Sequence, residues 1–138
     1  MAHAKDPQHW LYRFTPREWI QAALAELGRS EVAFESRDRK GALACCRRAA
    51  GMALNGALAA AETIDGNYGR SYMDHLIALG ADETAPPAVR DAAKLLVQTP
   101  LPGGAVVVLR TIGTDERLIE ATRDVMAHAY AMVMRAEP

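Results

Sequence analysis

No apolar run in this chain reaches the ~18 residues that a membrane-spanning helix needs, so no membrane segment is expected. Cysteine is nearly missing: Cys45 and Cys46 are the only two, and they are adjacent. Neighbouring positions on a helix point about 100° apart, which argues against a disulfide between them. Their spacing is not that of a zinc site either. The opening "MAHAKDPQHW" lacks the charged-then-apolar pattern of a signal peptide. The expectation is a soluble cytoplasmic protein with reduced thiols. Aromatic residues make up only 6% of the chain, and β-branched residues are sparse outside one short run, which disfavours a sheet-based core. Neither sign of charge dominates, since the formal net charge is −1. There is no global basic excess to advertise nucleic acid and no acidic tail to suggest disorder. The four histidines, His3, His9, His75 and His128, are scattered without metal-ligand spacing, so neither a metal nor another cofactor is expected.

What is present is alanine. Half of the 138 residues are apolar, and alanine, the best helix former, dominates that half. The length suits one domain, with roughly two-thirds of the unfolded surface available for burial. An arm over residues 1–14 ends in Trp10, Leu11, Tyr12 and Phe14, which are expected to dock on the body. Residues 15–138 form a single domain. Thr15-Pro16-Arg17-Glu18 is a helix start: Thr15 caps, Pro16 needs no N–H, and Glu18 completes a capping box. Trp19, Ile20, Ala23, Leu24, Leu27 and Phe34 follow at helical spacing, which predicts a helix to about Glu35. A second helix is predicted over roughly 38–63, dense in small residues. Gly41, Gly51 and Gly56 inside it each cost about 1 kcal/mol relative to alanine, so they imply close packing or a bend.

"DGNYG" at 65–69 is a turn. Ser71-Tyr72-Met73-Asp74 is a second capping box, opening a short helix that ends at Gly80. Another helix follows Pro86-Pro87 and stops before Pro100. Residues 105–112, "AVVVLRTI", are β-like but have no strand to pair with in the chain, so they read as an extended connection or an edge for a second subunit. Thr114-Asp115-Glu116 opens the last helix. The fold class is therefore all-α: an antiparallel bundle of four main helices plus a short helix.

The local charge pattern offers one anion site. Arg37, Lys40, Arg47 and Arg48 fall within about 100° on a straight second helix, and with Arg39 they form a basic stripe that could hold phosphates. The plainer reading is a solvated helix face. Asp74-His75 reads as a capping residue beside a partly buried histidine. Tyr68, Gly69 and Arg70 read as a turn, and Met126, Met132 and Met134 as core or interface filler.

The order of parts resembles the HEPN family of small helical bundles over roughly residues 15–136. The resemblance is carried by the two long helices joined by a polar link, by "YGRSYMDHLIAL", by "APPAVRDAAKLL" and by "DERLIEATRDVMAHAYAMVMRA". It implies an up-and-down bundle that commonly dimerises. It also implies either a metal-independent RNase of toxin–antitoxin or defence systems, or a module that binds a protein partner, a nucleotide or RNA. A nucleotidyltransferase-like protein is among the partners it suggests. The family's motif is an arginine followed by a polar residue, with a histidine four to six positions on, and in one branch a tyrosine two further. Arg123, Asp124, His128 and Tyr130 match it, which would make Arg123, His128 and Tyr130 the catalytic set. Histidine would act as acid or base, and arginine would stabilise the developing charge on phosphate.

Helix geometry supplies a competing reading. Five residues of separation are about 140° of rotation, so Arg123 and His128 diverge on an unbroken helix. His128 is then placed to meet Asp124 one turn earlier. The sequence thus favours a HEPN-like module without strong catalysis of its own, with the RNase and a purely structural dimeric subunit as alternatives. A homodimer is expected because the Ala/Gly-rich second helix and the 105–109 run offer surplus close-packing surface.

Overall fold

The predicted helix start at Thr15 is built as a reciprocal cap. The Thr15 side chain accepts from the Glu18 amide, and the Glu18 carboxylate accepts from the Thr15 amide. Helix α1 then runs over Pro16–Glu35. The structure, a computed structural model, describes residues 2–4, 9–100 and 112–138. Its remaining helices are α2 (Arg39–Ala60), α3 (Tyr72–Gly80), α4 (Pro87–Gln98) and α5 (Ile112–Ala136). Among the described residues the fold is helical apart from one three-residue ladder, in which β1 (Ala2–Ala4) pairs antiparallel with β2 (Thr63–Asp65).

The link between α1 and α2 is short because Arg37 adopts the left-handed conformation, φ 62°. That geometry lets the Arg37 and Asp38 amides bond back to the Phe34 and Ala33 carbonyls, closing α1. Asp38 then caps α2 by accepting from the Gly41 amide at 2.9 Å. Arg37 is therefore in the link, not on the second helix where the sequence pattern had placed it.

Helix α2 is the centre of the molecule. From Ala49 to Ala59 every residue except Met52 is buried. A helix apolar on all sides must be surrounded, and α1, α3, α5 and part of α4 enclose this one. The glycines remain inside an unbroken helix and mark close approaches. A Cβ on Gly51 would lie 2.4 Å from the Tyr72 Cβ, and one on Gly56 would lie 2.9 Å from the Pro16 carbonyl oxygen. The surface that suggested dimerisation through α2 is thus consumed within the chain. The other part of that argument, residues 105–111, lies outside the described residues. Ile112, read as the end of that run, is the first residue of α5.

At one end a second small core forms where Leu11, on the short turn Trp10–Arg13, packs with Trp19, Leu58 and Ala59. The Trp19 indole N–H donates to the Leu11 carbonyl at 2.8 Å. Phe14 packs edge-on against Trp19 but stays partly exposed. Helix α5 runs antiparallel to α1: Arg17 pairs with Glu137 at one end, and Arg123 with Glu31 at the other.

The glycines make a paired stability test. Gly51→Ala overpacks against Tyr72 and should lower unfolding free energy by about 1–3 kcal/mol. Gly28, exposed on α1, has nothing within 4 Å of a built Cβ. Gly28→Ala should raise stability by about 0.5–1 kcal/mol. Urea denaturation of both variants checks the pair, and the same sign of change at both sites would contradict the packing assigned to α2.

Candidate functional site

Helix α5 holds Arg123, His128 and Tyr130 without a break. Its buried stripe of Leu118, Ala121, Thr122, Val125, Met126, Ala129 and Val133 faces the core. Arg123 leaves one side of that stripe and reaches Glu31 on α1, Nη2 to Oε1 3.3 Å. Tyr130 is on the same side, exposed, and its hydroxyl adds to the interaction that Arg17 makes chiefly with Glu137. His128 is half-buried on another side. Burial, then the charge of Arg135, lowers its pKa, while Asp82 opposes both. The carboxylate bearing on His128 is therefore Asp82, between α3 and α4, rather than Asp124 on its own helix. The structure brings Arg123 and Tyr130 to one face and turns His128 to another.

The four basic residues of the predicted stripe are also distributed. Arg47 turns inward and donates to the Leu96 and Thr99 carbonyls, each at 2.9 Å. It caps the C-terminus of α4, where a cation is favoured. Arg48 goes to the opposite flank, donating to Glu26 Oε2 at 3.1 Å and to Cys45 Sγ at 3.3 Å. That ion pair, together with the one Arg29 makes to the other Glu26 oxygen, allows Glu26 to be buried on α1. Arg39 pairs with Asp115 at 3.5 Å, while Arg37 and Lys40 are exposed. No single phosphate-sized face collects Arg37, Lys40, Arg47 and Arg48.

An open groove of about 560 Å³ runs between α1 and α5. Ile20, Leu24 and Leu27 line it from α1, and Met126, Ala127 and Tyr130 from α5. Arg17 and Arg123 stand at its two ends. Leu24 and, further along α1, Val32 are 56% and 61% exposed. Leu24, open to this degree beside exposed Tyr130, gives this wall of the bundle an exposed apolar surface.

Sequence reading missed a buried polar network. His75 is fully buried, not partly. Its Nδ1 lies 2.6 Å from the Tyr68 carbonyl oxygen and its Nε2 2.6 Å from Asn55 Oδ1. Tyr68 donates its hydroxyl to Asp82 at 2.7 Å, and Thr84 donates to the other Asp82 oxygen. Burial raises the Asp82 pKa, and these hydrogen bonds from Thr84 and Tyr68 outweigh it, so the carboxyl titrates below its usual range. Asn55 Nδ2 has no partner although Asn55 is 1% exposed. A ring flanked by two oxygens is an imidazolium; a neutral ring needs the Asn55 amide turned over so that its NH2 faces Nε2. In both arrangements one amide atom of Asn55 stays unpaired, a penalty of about 1–3 kcal/mol. The sequence signal was an asparagine within an otherwise apolar helical stretch, Ala53 to Ala60.

Among the described residues no group of three or more His, Cys, Asp or Glu is arranged to hold a metal, and no helix is long and apolar enough to cross a membrane. No family model matches the chain, and neither a curated protein nor a solved structure is significantly similar to it.

Burial lowers the pKa of His75 below its ordinary 6.5, against the Tyr68 carbonyl and Asp74, which raise it. The folded chain then prefers the neutral ring, while the unfolded chain takes up a proton as pH falls below about 6.5. The His75 contribution to stability is complete above that pH and is lost as pH falls from there towards the folded pKa. Urea midpoints measured between about pH 7.5 and 5.5 should drop more steeply for the wild type than for His75→Gln. Equal slopes would show that His75 does not titrate between the folded and unfolded states as its burial demands.

Proposed function

We propose that this protein is a HEPN-like helical binding module that acts as a homodimer through its α1/α5 face, without strong catalysis of its own. The observation that carries this reading is the open apolar groove between those helices, with Leu24 and Tyr130 exposed on it. A two-fold contact requires a self-complementary surface. This one carries an arginine and a carboxylate at each end, Arg17 with Glu137 and Arg123 with Glu31. A copy rotated by a two-fold axis between the ends meets mixed charge at both, with apolar side chains in the middle. Gly28, exposed on the same helix, permits close backbone approach.

Sedimentation at micromolar concentration should give a species of twice the 15.0 kDa chain mass. The double variant Leu24→Glu/Tyr130→Glu should sediment as a monomer with an unchanged helical circular-dichroism spectrum. A wild type that remains at 15.0 kDa would reject the dimer.

The ribonuclease reading requires Arg123 and His128 to act on one phosphate, yet they leave α5 on different sides, towards Glu31 and towards Asp82. Purified protein should therefore cleave RNA no faster than its His128→Ala variant, with EDTA present to exclude metal nucleases. Cleavage by the wild type that disappears in both Arg123→Ala and His128→Ala, each still folded, would establish the nuclease instead.

A further inference from the structure

A cleft of about 390 Å³ opens on the side of the bundle where the Trp10–Arg13 turn, α2 and the start of α3 meet. Its size falls within the range of small-molecule sites. Trp10, Phe14, Trp19 and Tyr72 supply its walls, in a chain with only eight aromatic residues other than histidine. Both tryptophans of the protein are among them. Flat apolar walls of this kind favour a planar, ring-shaped occupant.

Two groups in the cleft lack partners. Asn55, 1% exposed, lines it with one unpaired amide atom, and the Trp10 indole N–H is buried without an acceptor. An unpaired buried polar group beside a cavity is a place where a ligand atom gains a hydrogen bond at no cost in displaced partners.

The cations fix the charge of the occupant. Arg13 and Arg70 both line the cleft. Each guanidinium rests near an aromatic ring of the same site: Arg13 lies 5.7 Å from the Phe14 ring centre, and Arg70 lies 6.0 Å from that of Trp10. Neither is held in an ion pair with a carboxylate among the described residues. Ser71 also lines the cleft, but the amides at the α3 N-terminus are already served by the Ser71/Asp74 capping box. Two guanidinium forks without carboxylate partners of their own match a ligand carboxylate, which arginine binds through paired N–H donors.

We infer that this cleft binds a small planar aromatic carboxylate, its ring among Trp10, Trp19 and Tyr72 and its carboxylate at Arg13 and Arg70. The inference is independent of the α1/α5 groove and of any dimer formed there.

Because both tryptophans line the cleft, their emission reports occupancy directly, and calorimetry on the full chain gives the affinity. Naphthalene-2-carboxylate is the probe, with naphthalene-2-carboxamide, inorganic phosphate and adenosine monophosphate as comparisons. The carboxylate should bind and change tryptophan emission, with the neutral amide weaker by at least roughly tenfold. Arg13→Gln/Arg70→Gln, both at exposed positions, should weaken the carboxylate by roughly tenfold or more while thermal unfolding stays unchanged. Absence of carboxylate binding at millimolar concentration, equal binding of the amide, or indifference to the double arginine change would each overturn the proposal. Tighter binding of phosphate or adenosine monophosphate than of the carboxylate would overturn it too, in favour of a phosphate site.

Discussion

Everything in this bundle depends on how closely its neighbours can approach α2. The helix is lined with alanine and glycine, so each contact buries little area per side chain. The core is held instead by the density of contact, because dispersion falls off sharply with a fraction of an ångström of separation. Tyr72 lies against the backbone at Gly51, and Pro16 and Trp19 lie against it at Gly56. The first contact places the start of α3 against α2, and the second places the start of α1. The large side chains of the neighbouring helices, among them Leu76, Leu79 and Leu96, then fill the remaining space around a narrow central rod.

A rod buried on all sides also buries the polar groups that face it. Most are satisfied locally. Ser30 donates to the Leu27 carbonyl and Thr122 to that of Leu118, both back-bonds within their own helices. Glu26 has a local partner in Arg29 and a long-range one in Arg48. Asn55 and His75 are different, because they bond to each other and to the Tyr68 carbonyl, joining α2, α3 and the turn before it. That network extends through Tyr68 to Asp82, and so to the neighbourhood of His128 on α5. These hydrogen bonds tie α2 and α3 to the segments on either side of α3, and they end at an unpaired Asn55 amide atom on the wall of the aromatic cleft.

The parts of this structure that were legible in the sequence are those determined within a few residues. The capping boxes at Thr15/Glu18 and Ser71/Asp74 are both present, and α1 ends at Glu35 as its spacing predicts. The close packing implied by the central glycines is found at Gly51 and Gly56. The failures concern destinations far along the chain. Arg47 looked like part of a basic stripe because its partners, the last carbonyls of α4, are about fifty residues away. Arg37 was misplaced because a left-handed arginine carries no sequence mark of the kind a glycine leaves. His128 was assigned to Asp124 by helical neighbourhood, whereas Asp82 arrives from another part of the fold. Periodicity identified α2 as rich in packing surface, but it could not say that the chain itself would use all of it.

The straightness of α5 links the quaternary question to the chemical one. Bringing Arg123 and His128 of one chain together would mean breaking the helix between them. That segment contains Val125 and Met126, both in the core, so a break there would expose buried apolar surface and interrupt the helix's hydrogen bonds. A composite site between two chains avoids the break but sets a geometric condition: one interface must contain both the Arg123 side and the His128 side of α5. The groove shared with α1 contains Arg123 and Tyr130 but not His128. A dimer built symmetrically on that groove therefore opposes Arg123 to the partner's copy of the same face and leaves both His128 rings outside it. The interface proposed here and a nuclease site at these residues are alternatives, and the choice between them follows from which side of α5 a second chain covers.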